Sequence, residues 1–157
     1  MGKKSKKDTA TRGLSWIVDY EAGELYVKGF TGSRETGSIK LKTTDSAVKI
    51  TAVSDAKIFH VGKKELAHVE MQISDKNGAL VYDADNEVTI DIEGPAILLG
   101  LESGNLASHE DYKSNKRKAY NGKILAYVQS NGEPGEVKVT LRSPGLQPKS
   151  VIIASAK

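Results

Sequence analysis

Short runs in which apolar and polar residues alternate cover most of the chain after Leu14. A period of two places every second side chain on the same face, which is the pattern of a strand with one buried and one solvated face. Gly, Asp, Asn and Pro separate the runs, as expected for tight turns. The pattern predicts strands at 15–20, 24–30, 38–43, 47–53, 66–74, 87–93, 122–129, 135–142 and 149–154.

No segment sustains the i, i+3, i+4, i+7 apolar spacing that a substantial helix requires. A series of short strands with short connections is typical of an all-β protein, and we predict an antiparallel immunoglobulin-like β-sandwich. The turn between two of these strands is predicted at Asp75–Gly78, which ends in Asn-Gly. The single Trp and the absence of cysteine exclude the Cys…Trp…Cys core of antibody domains.

One polar segment, residues 100–122, is much longer than the other connections. Its sequence is GLESGNLASHEDYKSNKRKAYNG, and Ser108–Asp111 within it fits the start of a single helical turn. Because function concentrates on loops, Tyr112 and Tyr120 are better candidates for stacking on a sugar ring than the tyrosines of the strands. The basic cluster at 113–118 follows two acidic residues, which favours an ion-paired or solvated surface over a phosphate site.

Charge and composition narrow the classes of function. The 157 residues are 38% hydrophobic and 27% charged, with no apolar run long enough to span a membrane. The formal charge of +3 lies in a Lys-rich start, because residues 1–12 hold five basic residues and one acidic residue. The remainder carries 18 basic and 19 acidic residues, whereas a nucleic-acid binder needs a basic face on the fold itself. We therefore expect a solvated tail, no nucleic-acid partner and no membrane partner.

Few residues have the types and spacings of catalytic or metal sites. The absence of cysteine excludes disulfides, thiolate nucleophiles and thiolate zinc sites. His60, His68 and His109 have no metal-like spacing and no acidic or thiol partner at a recognisable offset. Asp83–Glu87 has alternate oxygen ligands, a weak calcium signal that does not fit an EF-hand. We predict no catalytic residue, no metal site and no cofactor in this chain.

Several runs in order resemble the C-terminal region of bacterial family-2 glycoside hydrolases of the β-galactosidase type. Residues 16–29, WIVDYEAGELYVKG, are similar to W-x-V-x-Y-x-P-G-x-L-x-V-x-G, which ends the small domain before the last one; Ala22 replaces the proline. Residues 65–78, ELAHVEMQISDKNG, resemble D-L-A-x-V-x-V-x-I-x-D-x-x-G of the terminal immunoglobulin-like domain, and residues 81–90 resemble V-P-x-A-x-N-x-V-x-F.

The 100–122 segment resembles the family's G-x-x-N-G-D-P-x-S-x-E-x-Y followed by R-x-A-F/Y-x-G. The matching residues are Ser108, Glu110, Tyr112 and Arg117. The departures are Ser103, Asn105 and Leu106, where the common form has Asn, Asp and Pro, so polar contacts of that Asn or Asp do not carry over.

The resemblance implies an excised C-terminal fragment, with residues 1–44 the remnant of a preceding small β domain and 45–157 a complete sandwich. The family's catalytic glutamates lie in a (β/α)₈ barrel, which this chain is too short to contain. We therefore expect a non-catalytic accessory domain of a β-galactosidase-like enzyme that packs against its parent and borders the substrate approach. The resemblance places such a parent in the periplasm or outside a bacterial cell, and the chain's own compartment stays open.

An alternative function is a carbohydrate-binding module that recognises galactose-containing glycans through the 100–122 segment. The residues expected to form that site are Asn105, Ser108, Glu110, Tyr112, Arg117 and Tyr120. The expected partners are thus the remaining domains of the parent and glycans. The N-terminal strands, having lost their neighbours, are also expected to pair between copies of the chain.

Overall fold

The computed structural model describes residues 2–8 and 13–156, which fall into two compact units, Met1–Thr43 and Thr44–Lys157. Within the described residues the helical content is one 3₁₀ turn at Lys6–Asp8. Over the same residues, no helix has the length and apolar character that crossing a membrane requires. The predicted solvated tail is described over 2–8, where every residue is exposed, and Thr9–Arg12 lies outside the described residues.

In the described residues of the first unit, β1 (Glu24–Thr31) and β2 (Arg34–Lys42) form an antiparallel hairpin. Its register pairs Val27 with Ile39 and Leu25 with Leu41, so these apolar side chains share one face of the hairpin. Three of the four are exposed, which leaves the apolar face of the hairpin largely in solvent.

The strand predicted at 15–20 is wrong, because no residue from 14 to 21 has strand structure. Its alternation is real, but a strand exists only where a neighbouring backbone accepts and donates its hydrogen bonds. Within the described part of the first unit, β1 pairs with β2 alone, and Ile17 and Tyr20 are highly exposed.

The second unit is a β-sandwich, which confirms the predicted fold class. One sheet has the strand order β4-β11-β10-β6-β8 and the other has the order β3-β5-β9-β7. All pairs are antiparallel except β4 with β11, which is parallel. The strands are β3 (Lys49–Ser54), β4 (Ile58–His60), β5 (Leu66–Ser74), β6 (Glu87–Glu93), β7 (Ala96–Glu102), β8 (Lys116–Lys118), β9 (Lys123–Ser130), β10 (Gly135–Arg142) and β11 (Lys149–Ala156).

The core lies between the two sheets, where the period-two pattern directs the apolar side chains. In β5 and β9 buried and less buried residues alternate along most of each strand. Burial of this apolar surface is the main favourable term in folding. Residues that are fully shielded from solvent include Phe59, Val69, Met71, Ile73, Leu101, Val128, Val139 and Ile153.

Three strands were absent from the sequence prediction. β4 and β8 have three residues each, which is too short for an alternation to be visible. β7, AILLGLE, is a nearly continuous apolar run with a bulge between Leu98 and Gly100, so it lacks a strict alternation. As a result, the long connection predicted at 100–122 shortens to residues 103–115, which we call the 103–115 loop.

Candidate functional site

The 103–115 loop covers the edge of β7 and reaches the opposite sheet. The Leu101 amide donates to the Tyr112 carbonyl oxygen at 2.7 Å, and the Ile90 amide of β6 donates to the Asn115 carbonyl oxygen at 2.9 Å. Asn115 Nδ2 returns a hydrogen bond to the Ile90 carbonyl at 3.4 Å. Gly100 permits the close approach, because a Cβ at that position would lie 2.7 Å from the Tyr112 oxygen. The loop therefore supplies hydrogen-bond partners for backbone groups at the edge of β7 that would otherwise be unpaired.

Ser108 and Glu110 support the loop from within. Ser108 Oγ donates to Glu110 Oε2 at 2.9 Å, and Glu110 Oε1 accepts the Lys118 amide at 3.0 Å. Burial raises the pKa of Glu110, but the hydrogen bonds from Lys118 and Ser108 and the nearby charge of Arg117 together hold that pKa below its usual value. The helical turn predicted at 108–111 is wrong, because Ser108 Oγ accepts the Glu110 amide, two residues on, and no helix forms there.

Arg117 lies inside the protein rather than on its surface. It is 0% exposed, and β8 directs it inward opposite Val88 of β6. Its guanidinium carbon lies 4.4 Å from the Tyr112 ring centroid, and its Nε donates to Ser103 Oγ at 3.3 Å. In this position the guanidinium supports the Tyr112 ring, and the sugar-binding role of Arg117 stays a prediction.

The other predicted site residues are scattered around the loop. Asn105 Oδ1 accepts the Ala107 amide at 3.1 Å, which closes a turn of the loop. Tyr112 is 53% exposed and Tyr120 is 45% exposed. Tyr120 sits at the other end of β8, where its backbone pairs with Lys123. Among the six residues, Ser108 contacts Glu110 and, through its amide, the Asn105 carbonyl oxygen at 3.1 Å. Arg117 contacts Tyr112 and its charge acts on Glu110, so Tyr120 is the residue that stands apart from the other five in the described structure.

We expect Arg117→Ala to loosen the 103–115 loop. The change removes the group under the Tyr112 ring and leaves a void, and Nη1 and Nη2 already lack hydrogen-bond partners in the described structure. Arg117→Met keeps much of the volume without the buried charge, so it should be more stable than Arg117→Ala by ~1–2 kcal/mol. Urea unfolding measures the difference, and hydrogen exchange of the Leu101 amide reports the loop.

The exposed, surface-paired Arg142 provides the matched control, since Arg142→Ala should leave exchange at Leu101 unchanged. Equal exchange at Leu101 in wild type and Arg117→Ala would show that Arg117 does not hold the loop.

A groove lies beside the loop on the outer face of the four-stranded sheet, and we call it the β7–β9 groove. It consists of two depressions of about 260 Å³ and 290 Å³. Tyr127 of the first depression donates to Glu102 Oε2 of the second at 3.2 Å. The first is lined by Leu99, Gly100, Leu101, Tyr112 and Tyr127. The second is lined by Glu70, Glu102, Ser103, Gly104, Lys123, Ile124 and Leu125.

The side chains of the groove hold one another in place. Tyr127 packs edge-on against His68, with ring centroids 5.3 Å apart, and burial followed by the hydrogen bond to Glu102 raises the Tyr127 pKa. Lys123 Nζ donates to Glu70 Oε1 at 3.1 Å, and this bond is the first cause that lowers the Glu70 pKa. The groove thus has an aromatic end and a charged end.

Two histidines have acidic partners that the sequence did not reveal. His68 Nδ1 lies 2.7 Å from Asp55 Oδ2, and His60 Nδ1 lies 3.0 Å from Glu65 Oε1. Neither pair has an offset that sequence motifs recognise, and Asp55 reaches His68 through the pairing of β3 with β5. In the described part of the chain, no three His, Asp or Glu residues come together as a metal site, Asp83–Glu87 included.

Comparison with known proteins assigns this domain to a family. Residues 50–152 match the family described as glycoside hydrolase family 2 C-terminal domain 5. The chain belongs to this family, as its sequence motifs had indicated. Strands β4 to β10, the 103–115 loop and the residues that line the groove fall within the matched residues, whereas β1 and β2 lie outside them.

Relatives align with nearly the whole chain. The β-galactosidase BoGH2A of Bacteroides ovatus is 32% identical over 152 residues, which is 97% of this chain and 18% of that protein. A glycosyl hydrolase family 2 member from Bacteroides cellulosilyticus has 27% identity and a TM-score of 0.86 over 90% of this chain and 19% of that one. A β-glycosidase from Bacteroides vulgatus has 26% identity and a TM-score of 0.82 over 90% of this chain and 18% of that one. The chain thus spans about a fifth of the length of these relatives.

Sequence reasoning missed Tyr127, Glu102, Glu70 and Lys123 as a group. The alternation in 66–74 and 122–129 does place Glu70, Lys123 and Tyr127 on the solvated sides of their strands. Their grouping depends on the register of β5, β9 and β7, in which Glu70 faces Leu125 and Leu125 faces Glu102.

Proposed function

We propose that this chain is a non-catalytic accessory domain of a family-2 glycoside hydrolase of the β-galactosidase type. The observation that carries the proposal is the family match over residues 50–152, in a chain that covers only 18% of its β-galactosidase relative. In that relative most of the protein, and so most of the residues available for catalysis, lies outside the segment that this chain matches. The domain packs against the rest of the enzyme and borders the approach of the substrate.

The apolar surfaces of the chain support the packing role. The hairpin of the first unit has Val27, Ile39 and Leu41 exposed on one face. In the second unit, Val53, Leu66 and Ile97 are exposed on the outer side of the four-stranded sheet. Apolar surface of this kind on a soluble domain is typical of a protein that has further domains to pack against.

The chain alone should not hydrolyse aryl β-galactosides. The measurement is release of nitrophenol from nitrophenyl β-galactoside by the purified chain, with buffer as reference. Traces of a host galactosidase would give the same signal. The variants Glu70→Gln and Glu102→Gln therefore test whether any turnover comes from the chain itself. Turnover above buffer that either substitution abolishes would contradict the non-catalytic role, whereas turnover that persists in both variants belongs to a contaminant.

The packing role predicts a loss when the domain is removed from a longer protein that carries it. Ending such a protein before Thr44 should lower its melting temperature and its kcat/KM for the aryl galactoside, because an interface and one border of the substrate approach are lost. Adding the separate chain back should restore part of both. An unchanged melting temperature and an unchanged kcat/KM would contradict the proposal.

Sugar binding through the 100–122 segment stays the alternative. Tyr112 and Tyr120 have the exposure that stacking requires. Ser108 and Glu110, however, are hydrogen-bonded to each other, and Arg117 is buried. The geometry therefore favours the accessory role for the loop, with its polar residues used to hold the connection between the two sheets.

A further inference from the structure

The β7–β9 groove combines an aromatic surface with a charged, hydrogen-bonding surface, and a saccharide uses both. Its first depression is lined by two tyrosines, two leucines and one glycine, namely Tyr112, Tyr127, Leu99, Leu101 and Gly100. Its second depression has two carboxylates, an ammonium group and the Ser103 hydroxyl. A pyranose has an apolar C–H face and a rim of hydroxyl groups, so a tyrosine pair beside carboxylates matches both parts of the sugar.

The carboxylates retain acceptor capacity for such a ligand. Glu102 uses Oε2 for Tyr127, and Glu70 uses Oε1 for both Lys123 and Gln72. Within the described part of the chain, Glu102 Oε1 and Glu70 Oε2 accept no hydrogen bond from another residue. Each ionised carboxylate offers about four lone-pair sites, so both groups have acceptors left for sugar hydroxyls.

The aromatic end of the groove is supported on both sides. His68 contacts the Tyr127 ring and is itself hydrogen-bonded to Asp55 at 2.7 Å. Tyr112 is held by the Arg117 guanidinium 4.4 Å from its ring centroid and by the hydrogen bond from Leu101 to its carbonyl. Rings held in this way lose little freedom on binding, which favours affinity.

We propose that the β7–β9 groove is a binding site for a neutral saccharide, with Tyr127 and Tyr112 against the sugar ring and Glu102 and Glu70 as acceptors for its hydroxyls. Two glutamates against one lysine leave the charged end with a net negative charge, so a neutral hexoside fits better than a uronate. This role is additional to packing on a parent enzyme, because Val53, Leu66 and Ile97 do not line the groove. It differs from the loop site by Glu70, Lys123 and Tyr127, which lie on β5 and β9.

The test is a titration of the full chain, labelled with ¹⁵N, with methyl β-galactopyranoside and with lactose. We expect saturable shifts centred on the amides of residues 99–104 and 123–127, and weaker shifts with methyl β-glucuronide. Tyr127→Ala and Glu102→Ala should each weaken binding by about tenfold, the usual effect of losing one well-placed contact to a charged or aromatic group. Should either variant lose the dispersed spectrum of a folded protein, Tyr127→Phe and Glu102→Gln replace it.

Matched controls come from the same chain. Tyr82 is 70% exposed and lies outside the groove, and Glu136 is exposed on the opposite sheet, so Tyr82→Ala and Glu136→Ala should bind as wild type does. The absence of shifts with every sugar would overturn the proposal. Shifts confined to Asn105, Ser108 or Tyr120 that Glu102→Ala leaves unchanged would overturn it in favour of the loop. The glycosides are not turned over in this experiment, so its failure is distinct from a failure of the accessory role.

Discussion

Replacing Asp75 by Asn is expected to lower the free energy of unfolding by ~3 kcal/mol, because one side chain ties three backbone amides together. Asp75 is 2% exposed. Its Oδ1 accepts the amides of Asn77 at 2.8 Å and Ala79 at 2.9 Å, and its Oδ2 accepts the Asp45 amide at 3.2 Å. An asparagine keeps one acceptor oxygen and turns an NH₂ group toward an N–H donor, so at least one amide loses its partner.

The same contacts determine how stability depends on pH. Burial raises the pKa of Asp75, but the amides of Ala79, Asp45, Asn77 and Gly78 together lower it below its usual value of 3.8. A carboxyl whose pKa is lower in the folded than in the unfolded state stabilises the fold above the unfolded value, and that stabilisation is lost as the pH falls through the folded value. Wild type should therefore lose stability below about pH 4, and Asp75→Asn should lose less over the same range.

Urea unfolding at neutral pH and at stepwise lower pH measures both effects. Asp83→Asn is the control, since Asp83 is exposed and the structure gives its side chain no hydrogen bond. Equal unfolding free energies for wild type and Asp75→Asn at neutral pH would show that the turn does not depend on the carboxylate.

Gly122→Ala should be the most damaging glycine substitution in the segment between β7 and β9. Gly122 has φ +71°, and a Cβ there would lie 2.3 Å from the Val81 carbonyl oxygen and 2.8 Å from Leu80 Cδ1. Its backbone cannot move away freely, because its amide donates to Ala84 and its carbonyl accepts from Ile73. The left-handed conformation costs ~1 kcal/mol for an alanine, and the overlap adds ~3 kcal/mol.

Gly104→Ala separates the two contributions. Gly104 has φ +74°, close to that of Gly122, but a Cβ there meets nothing within 4 Å. Its substitution should thus cost only the ~1 kcal/mol of the backbone conformation. The melting temperatures of the two variants and of wild type provide the comparison, and a Gly122→Ala protein as stable as Gly104→Ala would mean that the backbone of Val81 moves aside without penalty.

The sequence predicted the long strands because each carries its own signal. The predicted bounds of 66–74, 87–93 and 135–142 coincide with β5, β6 and β10. These strands alternate over seven or more residues, so burial of one face specifies both their type and their extent. The turn at Asp75–Gly78 was equally local, since Asn-Gly supplies the conformation that its end requires, and Gly78 has φ +85°.

The predictions failed where a feature depends on residues that are distant in the sequence. Residues 15–20 alternate as a strand does, but no neighbouring strand pairs with them in the described part of the chain. Arg117 belongs to a basic, polar run that reads as surface, yet β8 turns it toward the interior. A charged side chain becomes buried when the pairing of its strand directs that side chain toward the core. The composition of the sequence does not indicate which side chains are directed inward.

The sequence by itself determined that the chain folds as an all-β sandwich, that it belongs with the C-terminal domains of family-2 glycoside hydrolases, and that most of its fold is nearly neutral. These properties follow from alternation, turn residues and ordered motifs, which are local. Only the tertiary structure decided that the 103–115 loop covers the edge of β7. It also decided that Tyr127, Glu102 and Glu70 share a groove. The reason is that strand register across the sheet, rather than spacing along the chain, sets which side chains meet.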